Sequence, residues 1–130
     1  MKTIFLDTNF LLACFQFKVD IFDEIDRLVH EAYALYILEK TIEELKSVKE
    51  KQAGKSKAAA KFSLTLIASK KLAIYPVSQD VTNKSVDDIL FELSEKEGIM
   101  IATQDQELKN RLKNRCPILT LRQKKHLIIY

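Results

Sequence analysis

The sequence predicts an α/β fold: a three-layer α/β/α sandwich built on a central parallel sheet of four or five strands. Three observations predict it. Short apolar runs alternate with amphipathic stretches along the chain, the rhythm of parallel strands joined by right-handed helical crossovers with helices on both faces of the sheet. The first run, Thr3-Ile4-Phe5-Leu6, ends abruptly on Asp7-Thr8-Asn9. A buried strand that delivers an acid to the mouth of an open sheet has this form, and ligands of such sheets bind beyond the carboxyl ends of the strands. Finally, 130 residues with 47% hydrophobic and 30% charged content suit one globular domain over residues 1–130, with a single core.

The elements follow in order. Asn9 to Cys14 reads as a short helix with Asn9 as its N-cap. From Asp20 to Ala32, the residues Ile21, Phe22, Ile25, Leu28 and Val29 recur at spacings of three and four, which is one buried face of an amphipathic helix. Leu35 to Leu38 is a second strand. Thr41 then opens a helix to about Lys51, and the region of Gly54 breaks the pattern. Ser56 to Ser69 is a helix carrying Phe62, Leu64, Leu66 and Ile67 on a lysine-rich background. Leu72 to Val77 is a short strand, closed off by Pro76 and the polar loop Ser78-Gln79-Asp80. Ser85 starts the next helix, which runs to Glu97 and is capped by Gly98. Ile99 to Ala102 is the most hydrophobic strand, and Thr103 ends it. Gln104 to Asn114 is a further helix, Pro117 to Leu121 a strand, and Leu127 to Ile129 a terminal apolar stub.

Composition narrows the function. No apolar run approaches the roughly 18 to 20 residues needed to span a bilayer, and Met1-Lys2-Thr3 passes into a strand without a signal-peptide segment, so a cytoplasmic location is expected and no membrane partner. Two cysteines, Cys14 and Cys116, make neither a disulfide framework nor a zinc site and read as buried thiols. The net charge of +3 is split into blocks: residues 1–45 carry −5, 46–71 carry +7, 72–107 carry −6 and 108–130 carry +7. Basic blocks alternating with acid-bearing ones suit a polyanion held beside a metal site better than a neutral small substrate.

The acids separate by geometry. Asp105 follows the strand ending at Thr103, so it stands beyond a strand's carboxyl end as Asp7 does, although an N-cap would look the same. On the helix from Ser85, Val86, Ile89, Leu90 and Leu93 form the buried stripe; Asp87 lies about 90° from its centre and Asp88 nearly opposite. Ser85-x-x-Asp88 is also a capping-box spacing, so Asp88 is assigned to the cap and Asp87 to the site. On the helix from Thr41, Ile42, Leu45 and Val48 form the core stripe, Glu44 lies at its edge and Glu43 faces solvent. Thr41-x-x-Glu44 is itself a capping box, which leaves Glu44 open between cap and site. Acids brought together repel one another unless a cation neutralises them, and an all-oxygen set suits Mg²⁺ or Mn²⁺. Such an ion activates water for in-line displacement at a phosphodiester.

Asp7-Thr8-Asn9, Glu44-Leu45, Val86-Asp87-Asp88-Ile89-Leu90 and Ala102-Thr103-Gln104-Asp105-Gln106-Glu107-Leu108 resemble, in order and separation, the four acid motifs of PIN-domain ribonucleases, over essentially the whole chain. The resemblance implies a parallel α/β/α sandwich and a metal-dependent endoribonuclease. Asp7, Glu44, Asp87 and Asp105 would hold Mg²⁺ or Mn²⁺, with Asn9 and Thr103 as hydrogen-bonding supports. It thereby resolves Glu44 in favour of the site. Implied partners are RNA, single-stranded or ribosomal, a second copy of the chain and, for a toxin, an antitoxin protein. The tail Ile118 to Leu127 looks closer to archaeal PIN proteins related to ribosomal-RNA-processing nucleases than to toxin (VapC-like) members. Gln104 departs from the usual pattern, where Asn or another small polar residue is commoner. Lys46, Lys49, Lys57 and the stretch from Arg111 to Arg115 are candidate phosphate contacts. The rivals are a non-catalytic RNA-binding or ribosome-assembly module and a phosphoacceptor receiver domain. The latter needs an acid at the end of the middle strand, where Pro76-Val77-Ser78 stands.

Overall fold

The computed structural model of the protein describes residues 1–76 and 84–130. In chain order the elements are β1 (Lys2–Leu6), α1 (Thr8–Gln16), α2 (Ile21–Leu28), β2 (Tyr33–Leu38), α3 (Glu39–Lys51), α4 (Gly54–Ser69), β3 (Ala73–Tyr75), α5 (Val86–Leu93), β4 (Ile99–Ala102), α6 (Gln106–Leu112), β5 (Ile118–Arg122) and β6 (His126–Ile129). The strands form one sheet in the order β3-β2-β1-β4-β5-β6. The first five are parallel, as expected. The terminal stub is a full sixth strand that folds back antiparallel on β5, with Leu121 opposite Leu127. A tight turn with Gln123 and Lys124 at positive φ makes this return, a hairpin the apolar pattern of three residues did not announce.

Strand alternation sorts the core into two faces. Ile4, Leu6, Leu35, Ile37, Met100, Ala102 and Leu119 pack with α1 to α4 through Phe10, Leu11, Ile25, Leu45, Ala60 and Ile67. Their neighbours Phe5, Leu38, Ile99, Ile101 and Ile118 pack on the other face with Val86, Ile89, Leu90, Leu93, Leu108 and Leu112 of α5 and α6. These are the three layers. Among the described residues no helix is long and apolar enough to cross a membrane.

Helix boundaries differ from the sequence reading in several places: α4 starts at Gly54 and α6 spans only Gln106–Leu112, and four other differences each have a local reason. Asp7, not Asn9, caps α1, because β1 leads straight into the helix with Asp7 still extended at φ −75° and ψ 155°. α2 is shorter than expected, since Val29 returns to extended backbone while Asp20 caps the start, accepting from the Asp23 N–H at 3.0 Å. α3 begins at Glu39, directly after β2, with Leu38 as a cap that makes no side-chain bond. Thr41 is therefore buried inside the helix with its hydroxyl unpartnered, and the Thr41 capping box does not form. α5 ends at Leu93, where the Phe91 carbonyl accepts from Ser94 Oγ (2.5 Å) and Arg115 (3.3 Å). Gly98 consequently does not cap it. It turns the chain into β4 at φ +75°, where a Cβ would sit 3.2 Å from the Met1 carbonyl. β3 is confined to Ala73–Tyr75, and the loop Ser78-Gln79-Asp80 lies outside the described residues.

Candidate active site

β2 and β3 extend the sheet to one side of β1, while β4 and β5 extend it to the other. The reversal of strand order between β1 and β4 makes the gap at their carboxyl ends the switch point, the preferred ligand position in open α/β sheets. Asp7 stands there at the end of β1, its N–H still bonded to the Ala102 carbonyl at 2.9 Å. One carboxylate oxygen, Oδ1, accepts from the Thr8 N–H at 2.8 Å and caps α1; the other, Oδ2, accepts from the Thr103 hydroxyl at 2.7 Å. Asp7 is only 3% exposed. Burial pushes its carboxyl up from 3.8 to about 6, helped by the charges of Asp87 and Glu44 and opposed by its bonds to Thr103 and Thr8.

Thr103, at the end of β4, is fully buried. Besides donating to Asp7, its hydroxyl accepts the Asp105 N–H at 3.1 Å and lies 3.3 Å from Asn9 Oδ1. Freed from capping, Asn9 accepts the Gln104 N–H on Oδ1 at 3.0 Å and ties α1 to the turn after β4. Asp105 is an N-cap and also faces the pocket. Its Oδ1 caps α6 by accepting the Leu108 N–H at 2.7 Å, and the residue also lines the same pocket as Asp7.

The two helix-borne acids enter from opposite faces of the sheet. Glu44 on α3 is exposed, and Oε1 accepts from the Thr8 hydroxyl at 2.5 Å. Asp87 in the first turn of α5 is half-buried and makes no hydrogen bond among the described residues. Its carboxyl is raised by burial first and then by the charges of Asp105 and Glu44, with Arg111 pulling the other way. Asp88 is turned aside as expected: Ser85 Oγ accepts its N–H at 3.1 Å, and its carboxylate, held low by Arg111, pairs with that guanidinium at 3.0 Å. Lys40 Nζ donates to the Lys84 carbonyl and so links the start of α3 to the segment leading into α5.

All four predicted acids, with Thr8 and Asn9, line one open pocket of about 490 Å³, and Thr103 lies buried beneath Asp7. Among the described residues, however, no group of three or more acids, histidines or cysteines is gathered tightly enough to hold an ion as it stands. The donor set is nonetheless the right chemistry for a hard cation. Among the described residues it is all oxygen, with no His or Cys in the lining, and the burial and mutual repulsion that raise Asp7 and Asp87 are what a divalent charge would relieve. Thr8 and Ser47 are polar lining residues that the sequence did not single out; for Thr8, a hydroxyl next to a capping acid gives no sign of a bond to a helix 36 residues away.

Of the proposed phosphate contacts, Lys46, Lys49 and Lys57 are exposed. Arg115 is committed elsewhere: it bonds Ser94 and Glu95 and stacks 3.9 Å from the Phe91 ring centre. Cys14 is buried, with its thiol pushed up to about 12, whereas Cys116 is only partly buried.

The family model described as a PIN like domain matches residues 4–124. Ribonuclease VapC4 of Methanocaldococcus jannaschii is 34% identical over 100% of this chain and 98% of its own. Ribonuclease VapC9 of Archaeoglobus fulgidus is 27% identical over 95% of this chain and 86% of its own. The solved structure of the PIN domain endonuclease Utp24 superposes with a TM-score of 0.76 at 21% identity, covering 98% of this chain and 90% of the other, a likeness of fold. On the family match and the full-length relative, this chain belongs to the PIN-like domain family.

Proposed function

We propose that the protein is a divalent-cation-dependent endoribonuclease that hydrolyses RNA phosphodiester bonds, with Asp7, Glu44, Asp87 and Asp105 holding Mg²⁺ or Mn²⁺. The observation that carries this reading is the meeting of four carboxylates from β1, α3, α5 and the β4–α6 turn around one pocket at the switch point of the sheet. The names of the two archaeal relatives, both ribonucleases, support RNA as the substrate. When bound, the cation supplies activation of water and stabilisation of the charge that develops on the phosphate. The chain's own part is placement. Asp7 is anchored through both oxygens by Thr8 and Thr103 and Asp105 through one by its cap, whereas Glu44 has a single exposed bond, from the Thr8 hydroxyl. One acid of the set accepts the proton released by the attacking water. Exposed lysines of the basic block, Lys46 and Lys49 on α3 among them, draw the RNA backbone to the acid-lined mouth, so binding should weaken steeply with salt.

The test is cleavage of a labelled single-stranded RNA by wild type and by Asp7→Asn, each with Mn²⁺, Mg²⁺ or excess EDTA. Cutting by wild type with a divalent ion alone is expected. Equal cutting with EDTA or by the variant overturns the mechanism. No cutting, together with no stoichiometric heat on titrating Mn²⁺ into the protein, leaves the rival reading, a non-catalytic RNA-binding or ribosome-assembly module. Two roles fit the nuclease: toxin of a toxin-antitoxin pair, with an antitoxin protein as partner, and maturation of RNA such as ribosomal precursors. Self-association into a homodimer in the cytoplasm completes the proposal and is read by sedimentation.

A further inference from the structure

We infer that Gln104 is a positioning residue for the acid pocket: its side-chain amide replaces a peptide unit of the sheet and fixes the turn that presents Thr103 and Asp105. The inference rests on the nuclease reading for its consequence, but its geometry stands independently.

The ladder between β4 and β5 is regular up to Thr103, whose N–H donates to the Leu119 carbonyl at 3.0 Å, two residues after Ile101 bonds the Pro117 carbonyl. In a parallel ladder the next two bonds would run from the Leu121 N–H to the Thr103 carbonyl and from the Asp105 N–H to the Leu121 carbonyl. Gln104 makes both contacts with its side chain instead. Its Oε1 accepts the Leu121 N–H at 2.6 Å, and its Nε2 donates to the Leu121 carbonyl at 3.2 Å. Oε1 also accepts from the Thr120 hydroxyl at 2.8 Å. The backbone is thereby released from the sheet without leaving β5 unsatisfied.

The released groups are those that order the site. The Asp105 N–H, no longer needed by the ladder, donates to Thr103 Oγ1 at 3.1 Å. A hydroxyl that accepts there has its single proton left for another partner, and the Asp7 carboxylate lies 2.7 Å away. The Gln104 N–H meanwhile holds Asn9 at 3.0 Å. β5 is a firm anchor, because β6 pairs its other edge opposite Thr120 and Leu121, and Arg27 and Glu24 of α2 bond Leu127 of β6. An Asn at 104 is one methylene shorter and could not make these bonds from the same backbone.

The test compares wild type with Gln104→Met, which keeps the length and loses the bonds, Gln104→Asn, and Thr120→Val, which removes one bond and leaves the amide in place. Hydrogen exchange by NMR on the metal-free protein reads the turn directly: faster exchange of the Asp105 and Leu108 amides in the Met and Asn variants, with the α5 amides unchanged, is expected. On labelled RNA with Mn²⁺, kcat should fall at least about tenfold with KM unchanged, the signature of misplaced rather than missing groups. Mn²⁺ affinity should weaken about tenfold or more, as when a supporting bond to a ligand is lost, with Thr120→Val between wild type and Gln104→Met. Unchanged kcat and unchanged Asp105 and Leu108 exchange, with only the Leu121 amide or the melting temperature affected, would overturn the inference, because the amide would then serve β5 alone. If wild type does not cut RNA, the nuclease reading fails, and the exchange and Mn²⁺ measurements still decide the role of Gln104.

Discussion

The two strand-end acids and the two helix-borne acids face the same pocket under opposite conditions. Asp7 is almost completely buried, with both oxygens engaged, and Asp105 spends one oxygen on capping α6. Glu44 is exposed with a single bond, and Asp87 has none among the described residues. The strand-end pair is fixed by the sheet and its ladder. The helix pair hangs over it from opposite faces, linked through Lys40 and Lys84. Rigidity on one side comes with desolvation, which raises Asp7, whereas on the other side Glu44 and Asp87, with few bonds to break, would be able to adjust to the proposed ion. That asymmetry fits a pocket whose acids surround a space without forming a closed cage.

Removing the most rigid acid should have the largest effect. Asp7→Asn keeps the shape, the α1 cap and a partner for Thr103 but loses the negative charge. A fall in cleavage of about a thousandfold or more is expected, the several kcal/mol that a cation contributes to phosphoryl chemistry. The same variant should be more stable than wild type in EDTA at pH 7.5, because a buried charge has gone. Loss of folding in Asp7→Asn, measured by circular dichroism, would mean the carboxylate holds the fold together and would remove the contrast between the pairs.

The pH dependence isolates the same residue without mutation. The Asp7 carboxyl titrates near 6 in the folded protein against 3.8 for an ordinary Asp, so folding favours its protonated form. Below pH 3.8 the group is protonated in both states and contributes nothing. As pH rises through 3.8 to 6 the unfolded chain loses the proton first, and stability falls, by about 3 kcal/mol in all for a shift of this size. Urea unfolding from pH 4 to 7.5 in EDTA should show this decline superposed on other titrations, and Asp7→Asn should remove it. A wild-type and variant difference that stays constant with pH would show that burial does not set this carboxyl.

Most of the fold was legible because strand periodicity survives any error at a helix end. Ile4, Phe5 and Leu6 alternate between two cores whatever residue begins α1. The acids that line the candidate pocket were legible where an acid follows a buried strand, or where a helix stripe fixes its angle, as for Asp7, Asp105 and Asp87. Capping was less legible, since the same Ser/Thr-x-x-acid spacing is satisfied at Ser85 and empty at Thr41. The difference is tertiary: β2 turns into α3 at Leu38 and carries Thr41 into the interior, which also frees Glu44 for the pocket. The role of Gln104 was invisible because its partners, Thr120 and Leu121, lie 16 and 17 residues away on a strand whose register no local pattern sets.

Thr103→Val should have an intermediate effect, because it leaves every acid in place and removes the hydroxyl that joins the rigid pair. Asp7 Oδ2 and the Asp105 N–H would each lose a partner in a buried place. A stability loss of about 1–3 kcal/mol and a 10–100-fold weaker Mn²⁺ affinity are expected from denaturation and calorimetry. If Mn²⁺ affinity is untouched while stability falls, Thr103 serves the fold alone.

The smallest expected effect sharpens the comparison from the other side. Thr8→Val deletes the only hydrogen bond to the Glu44 side chain among the described residues and keeps the β-branched shape in the first turn of α1, where the Thr8 N–H still meets Asp7. Glu44 is solvent-exposed, so water replaces the lost hydroxyl and the net change is expected to be about 1 kcal/mol, or roughly fivefold in Mn²⁺ affinity, with no measurable loss of stability. If the helix-borne acids are adjustable, added Mn²⁺ should restore full cleavage in this variant and not in Thr103→Val, because raising the ion concentration compensates for a weaker site but not for a displaced acid. Failure of Mn²⁺ to rescue Thr8→Val would show that Glu44 is as strictly placed as Asp7, and the division between a rigid and an adaptable half of the pocket would not hold.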